Sequence, residues 1–423
     1  MASENNLPTL RSLANVRIGT VLVLGFSSGL PLALTGGTLQ AWMAVEGVDL
    51  GTIGIFTLVG LPYTLKFIWS PILDRFVPPF LGRRRGWMLI CQLALMGLIA
   101  TMGGFSPKSF PWIVAFLAVM ITFMSASQDV VVDAYRTDVL RERERGLGAG
   151  VFVTGYRIAM LVSGALALIF SEVLGWRLTY LLMAALLTIG VLATLFGPEP
   201  EEKVIPPRTL AEAVGGPLKE FFSRPGAWAL LALIVLYKLG DAFAGTLTTA
   251  FLIRGPEFSV AEVGAINKGM GLFATIIGAL FGGVIMARLG MFRSLLYFGI
   301  LQAVSNLSFM VLAMLGKNYT MMVFAVAFEN LAGGMGTASF VGFLMALCDH
   351  RYTATQFALL SALASLGRVF VGPPSGFLAD VTGWPVFFFI TFLVALPGLG
   401  LLWWMRETVQ GMNHSGSEKQ ASG

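Results

Sequence analysis

PVFFFITFLVALPGLGLLWWM, residues Pro385–Met405, runs for 21 residues without one charge. A hydrocarbon core about 30 Å thick is crossed by roughly 20 helical residues, so this stretch is long enough to span a bilayer. Runs of the same kind recur upstream as far as Ile18. Of the 423 residues, 56% are hydrophobic and 12% charged, whereas soluble globular chains carry about 45–50% apolar and about 25% charged residues. No soluble fold fits that balance. The runs are continuous and rich in Leu, Ala, Gly and Phe, not the short alternating segments of a barrel, so helices are the spanning elements.

Charge and turn residues place helices at 18–45, 51–72, 86–104, 111–135, 147–171 and 177–197, then at 227–252, 263–287, 294–315, 319–346, 355–378 and 385–405. The expectation is an all-α membrane protein with 12 transmembrane helices in two six-helix halves, 18–197 and 227–405. Residues 1–17, a polar linker at 198–226 and a tail at 406–423 complete the chain. The run after Arg17 exceeds a signal-peptide core and lacks a convincing cleavage site, so it reads as a retained helix. Loops on one side hold Arg11, Arg17, Arg75, Arg83, Arg84, Arg85, Arg136, Arg141, Arg143, Arg145 and most other cations, while Lys108, Arg177, Arg254 and Lys317 lie on the other. Cationic loops stay cytoplasmic, which puts both termini and the linker there. The net charge of +5 is explained by topology, and no nucleic-acid partner is expected. Cys91 and Cys348 lack metal-ligand spacing and read as packing residues.

The halves look like diverged copies. A shift of 210 residues lays Thr38 on Thr248 and Gly54 on Gly264, a shift of 211 lays Asp138 on Asp349 and Arg157 on Arg368, and Gly175-Trp176 matches Gly383-Trp384 at a slightly smaller shift. Parallel repeats of this kind mark major facilitator transporters. Asp74-Arg75 followed by Gly82-Arg83-Arg84-Arg85 resembles the loop motif of that superfamily, with extra residues before Gly82; the cognate stretch Gly283–Arg293 has Ala287 where the acid would stand. Asp74, Arg75, Arg83 and Arg84 are therefore candidates for a cytoplasmic charge latch that pairs in one conformation and releases in another. The plainer alternative is a topology signal alone.

Five stretches are similar to the AmpG family of anhydromuropeptide permeases: Gly29-Leu-Pro-Leu-Ala-Leu-Thr through Gln40-Ala-Trp42, Ser125-Ala-Ser-Gln-Asp129 with Asp133, Leu236-Tyr-Lys238-Leu-Gly-Asp241-Ala-Phe, Phe328-Glu-Asn330-Leu-Ala-Gly-Gly-Met, and Ala354-Thr-Gln-Phe-Ala-Leu-Leu-Ser. The resemblance runs from about Gly25 to Trp404. It implies proton-driven import of N-acetylglucosaminyl-1,6-anhydro-N-acetylmuramyl peptides from the periplasm of Gram-negative bacteria across the inner membrane. Some members of that family carry extra C-terminal helices, where this chain has a polar tail.

The residues make their own case for a solute path. An ionisable side chain in a span costs at least a few kcal/mol, so each is a functional candidate by default. Asp129 and Asp133 share one helix face at i,i+4, and carboxylates in a low dielectric beside one another are suited to binding and releasing a proton. They are the candidates for proton coupling, the alternative being permanent pairing with Arg157 or Lys66. Their mates at a shift of 211 are Phe340 and Leu344, so the acids belong to one half only. Lys66, Arg157, Lys238 and Lys268 offer a cationic lining for an anionic solute, with Asp241 at i,i+3 from Lys238 as an internal or exchanging partner. Gln40, Gln128, Asn267, Gln302 and Asn330 can hydrogen-bond sugar hydroxyls, and Glu329 stands beside Asn330 and the glycines at 333, 334 and 336. Trp42, Tyr63, Tyr156 and Phe243 can stack on pyranose rings or simply pack. Gly29 reads as a packing or hinge position.

The glycine-rich stretches lack a P-loop Lys-Ser/Thr, so a proton gradient is the expected energy source, with no cofactor and no metal. Expected partners are the solute, protons and the bilayer, with the protein a monomer. A carrier of sugar phosphates, acyl-CoA or drugs would use the same scaffold. An integral-membrane transferase is the rival of another class; the two histidines, His350 and His414, fall in a loop and the tail, and no nucleophile–base motif stands out.

Overall fold

The computed structural model describes residues 15–140, 145–199, 221–223, 226–348 and 353–411. Most of the expected linker and tail, residues 1–14, Arg141, Arg143, Arg351 and both histidines lie outside the described residues, as does the Asp74 side chain. All regular elements among the described residues are helical. Along the chain these are α1 (Val16–Val45), α2 (50–75), α3 (Gly82–Met102), α4 (Pro111–Val139), α5 (145–174), α6 (176–196), α7 (Ala227–Arg254), α8 (Val260–Leu289), α9 (Met291–Leu315), α10 (Tyr319–Ala346), α11 (353–382) and α12 (Trp384–Trp404). Nine described stretches are long and apolar enough to cross a membrane, α5 and α6 counting as one, Gly148–Phe196.

The second helix departs from the unbroken span expected at 51–72. It alternates α-helical Leu50–Ile55, 3-10 Phe56–Gly60, Leu61–Leu65, 3-10 Lys66–Ile68 and Ser70–Arg75. Pro62 and Pro71 stand just after the two 3-10 stretches, and each lacks the backbone N–H that would continue an α-helical ladder. In α8 the irregularity is a π-helical stretch, Gly264–Met270, starting at the repeat mate of Gly54. Helix α5 has a π-helical stretch at Leu161–Leu166, and α11 breaks at Val371.

The copies also share their corners. Gly175 adopts φ 75°, ψ 165° and Gly383 adopts φ 74°, ψ 168°, a region open essentially to glycine alone. After each corner a tryptophan packs on the end of its half's first helix. Trp176 stacks on Trp42 at 5.4 Å, and Trp384 meets Phe251 at 5.2 Å.

The described residues form two compact units, those within 1–42 and 59–208 and those within 43–58 and 209–423. In the first, α1 and α5 approach at backbone distance: a Cβ on Gly25, Gly29 or Gly155 would collide with Phe152, Tyr156 or Leu22 respectively, the small-residue packing that brings membrane helices together. In the second, Gly278 and Gly282 of α8 meet Leu331 and Met335 of α10 in the same way. Segment 43–58 joins this unit because Gly54 abuts Gly372, Gly51 N–H donates to Asp380 Oδ2 at 3.0 Å and Arg254 Nε donates to Ala44 O at 2.8 Å. The half boundaries drawn from sequence miss that exchange, since periodicity marks where a helix runs and not what it packs on.

Candidate functional site

Among the described residues, each unit brings intramembrane polar side chains together between apolar helices. In the first, α4 carries Ser125, Gln128, Asp129 and Asp133; α1 adds Ser28, α2 adds Tyr63 and Lys66, and α5 adds Tyr156 and Arg157. Asp129 lies within electrostatic reach of Lys66, Asp133, Tyr63 and Tyr156. Ser28 Oγ, Tyr63 Oη, Ser125 Oγ, Gln128 Oε1 and Asp129 Oδ1 are all buried, with Ser28 placed to hydrogen-bond Asp129 and Ser125 placed to hydrogen-bond Tyr63. Polar atoms at this depth are held by hydrogen bonds, so these side chains form a buried polar group around Asp129. Lys66 and Arg157 are half-buried and make no ion pair among the described residues.

The two aspartates differ despite sharing a helix face. Asp133 pairs with Arg136 at 3.1 Å and its side chain is 47% exposed, while Arg136 also covers the Phe152 ring at 4.5 Å. Gln128 is fully buried and donates to Ser27 Oγ at 3.1 Å. Trp42, 3% exposed, is held by Trp176 and Tyr180, so its ring serves helix packing and is not available to stack on a sugar. Gln40 is half-buried in the same helix. Tyr156 packs against Gly29, which is the close-packing role expected of that glycine.

In the second unit, Lys238 occupies the break between Ala227–Tyr237 and Leu239–Arg254. Its ammonium is buried, 3.4 Å from Asp241 Oδ2 and 3.3 Å from Thr337 Oγ1. Lys268, in the π-helical turn of α8, donates to Thr249 Oγ1 at 2.8 Å. Glu329 Oε2 accepts from Asn330 Nδ2 at 2.7 Å, and Asn330 is fixed by Val326 O at 2.9 Å and Thr275 Oγ1 at 3.0 Å. Arg368 and Asp241 complete the charged surroundings. The structure thus gathers five sequence-chosen residues from three helices. The threonines that hold them escaped the sequence reading, because a hydroxyl in an apolar helix carries no periodic signal.

The arginine loop is anchored within the first unit. Arg84 Nε binds Asp138 Oδ2 at 3.0 Å, both side chains nearly buried. Arg85, left out of the expected latch, donates through Nε to Thr194 O at 2.8 Å and lies 3.6 Å from Glu199, fastening α3 to the end of α6. Arg75 is exposed and Arg83 half-buried. Among the described residues no group of acids, histidines and cysteines is arranged to hold a metal.

The Major Facilitator Superfamily model matches residues 21–370. The anhydromuropeptide permease of Escherichia coli K12 is 55% identical over 402 residues, covering 95% of this chain and 82% of the relative. A Rickettsia conorii protein named as transporter AmpG 4 is 34% identical over 93% of this chain and 97% of its own length. Among solved structures, a POT family transporter in complex with a thioalcohol-conjugated peptide superposes with TM-score 0.71 at 13% identity, covering 93% of this chain and 96% of that one. A bacterial homologue of the human lysosomal transporter Spinster gives 0.70 at 16% identity, over 96% and 99%. At such identities these structures speak to fold alone. With full-length similarity joined to helical repeats and paired glycine corners, the chain belongs to the Major Facilitator Superfamily and, within it, to the AmpG family of anhydromuropeptide permeases.

Proposed function

We propose that this multi-pass protein of the bacterial inner membrane imports peptidoglycan fragments, GlcNAc-1,6-anhydroMurNAc and its peptides, from periplasm to cytoplasm by proton-coupled alternating access. One observation carries the cargo: 55% identity to the E. coli anhydromuropeptide permease along 95% of the chain. In this reading the helices α1–α12 all cross the bilayer, with both termini cytoplasmic, and the protein works as a monomeric carrier without a cofactor.

Asp129 carries the proton, and Asp133 influences it through charge while remaining paired with Arg136. What supports this is the burial of the Asp129 carboxyl beside Ser28, Lys66 and Asp133. Tyr63, Lys66, Tyr156 and Arg157 of the first unit and Lys238, Asp241, Lys268, Glu329 and Asn330 of the second contact the solute. Gln40 and Gln128 support the first-unit helices. The loop cations Arg75, Arg83 and Arg84, with Asp74, act in the conformational latch.

The test is uptake of radiolabelled anhydromuropeptide into proteoliposomes with and without an inward proton gradient. Accumulation that needs the gradient, collapses with an uncoupler and is competed by unlabelled muropeptide is the expected result. Competition by sugar phosphate or acyl-CoA, but not by muropeptide, would transfer the scaffold to another anionic cargo.

A further inference from the structure

The charges of the second unit do not all cancel in place. Lys238 has Asp241 at 3.4 Å. Lys268 and Glu329 lie within each other's electrostatic reach, yet they form no ion pair, and their hydrogen-bond partners are neutral. Lys268 holds the Thr249 hydroxyl at 2.8 Å, and Glu329 accepts from the Asn330 amide at 2.7 Å. That amide cannot readily turn away, because Thr275 and the Val326 carbonyl fix it. A Cβ on Gly271 would sit 3.0 Å from Asn330 Nδ2, so the bare glycine lets α8 approach this group. Lys268 itself projects from a π-helical turn, a distortion that recurs at functional sites.

An amine and a carboxyl therefore share a protein interior, each hydrogen-bonded to a neutral neighbour and not to the other. A neutral sugar would leave both desolvated charges with dipoles only. A purely anionic group would satisfy Lys268 while setting a second negative charge beside Glu329. A dipolar group suits both, its carboxylate on Lys268 and its ammonium on Glu329.

We propose that Lys268 and Glu329 form a zwitterion site, which takes the amino and carboxylate groups of the peptide portion of the solute. This rests on the muropeptide reading above and deepens it: the second unit reads the peptide by its paired charges, with Asn330 positioning Glu329.

The experiment is titration calorimetry on the full chain in nanodiscs with three probes. They are the GlcNAc-1,6-anhydroMurNAc disaccharide alone, the disaccharide bearing a peptide with a free amine and a free carboxylate, and the same peptide compound N-acetylated. Wild type is expected to bind the free-amine compound about tenfold or more tightly than the acetylated one, the scale of a charge-assisted hydrogen bond. In Glu329→Gln that ratio is expected to fall to about one. Equal binding of the two peptide compounds by wild type overturns the inference and needs no variant. So does an undiminished ratio in Glu329→Gln. If wild type holds the disaccharide but prefers neither peptide compound, the zwitterion site falls and the muropeptide reading stands. If wild type binds none of the three probes, both fall together.

Discussion

Replacing Asp129 by Asn keeps the side chain's shape and removes its proton. The first unit supplies the count. In the proposed mechanism one carboxylate carries the proton, the buried Asp129, while Asp133 is half exposed and bound to Arg136 at 3.1 Å. One proton driven by a one-unit pH difference yields about 1.4 kcal/mol, or about tenfold accumulation at equilibrium with the voltage clamped at zero. Proteoliposomes bearing wild type are therefore expected to reach a ratio of about ten, and Asp129→Asn a ratio of about one, while exchange of labelled for unlabelled solute continues in both. Accumulation of about tenfold by Asp129→Asn would refute the assignment. A wild-type ratio near a hundred would refute the count and require a second titrating carboxylate.

Packing and backbone give further tests. Gly155→Ala drives a Cβ into the Leu22 carbonyl and should lower stability by about 1–3 kcal/mol, read as a lower midpoint in detergent unfolding; Gly97→Ala, with nothing within 4 Å, should leave the midpoint near wild type. Gly175→Ala and Gly383→Ala are expected to cost about 1–3 kcal/mol each, by the same assay, because both corners need the same glycine conformation. Asp49 caps Thr52 N–H at 2.7 Å, and Asp49→Ala should cost about 0.5–2 kcal/mol. Burial acts to raise the Asp49 pKa, but hydrogen bonds from the Thr52 side chain and backbone, with the Arg254 charge, outweigh it and hold the carboxyl below its ordinary value. A depressed carboxylate stabilises fully above its unfolded pKa of about 4 and loses that contribution as pH falls through the folded value, so the gap between wild type and Asp49→Asn should close on acidification below about pH 4 in a thermal-unfolding series.

Several features of the molecule were legible along the chain. Runs such as Pro385–Met405 can only be buried in lipid or protein, and the recurrence of Gly-Trp at 175–176 and 383–384 exposed the repeat that the matching φ, ψ values display in three dimensions. The spacing of Asp129 and Asp133 gave their shared helix face. It did not give their neighbours, because one helical turn along α4 separates a buried carboxylate from one that reaches Arg136. Trp42 carries two readings along the chain, packing first and ligand platform second, and Trp176 and Tyr180 against its ring decide for packing. In the arginine loop, the sequence presents consecutive cations with the same charge, and only the position of the α6 end singles out Arg85 as the one that reaches its carbonyls.

The sequence by itself determined the membrane fold, the repeat and the residues that carry charge into the apolar helices, since these follow from local composition and short spacing, and the family through the resemblance of its motifs. The tertiary structure decided which charges meet, which of them remain with neutral partners and that segment 43–58 packs with the second unit. Those outcomes depend on the relative depth and rotation of helices distant in the chain: Lys268 finds Thr249 on another helix, while Glu329 is held by Asn330 and Thr275, and no periodicity within one helix encodes that registration.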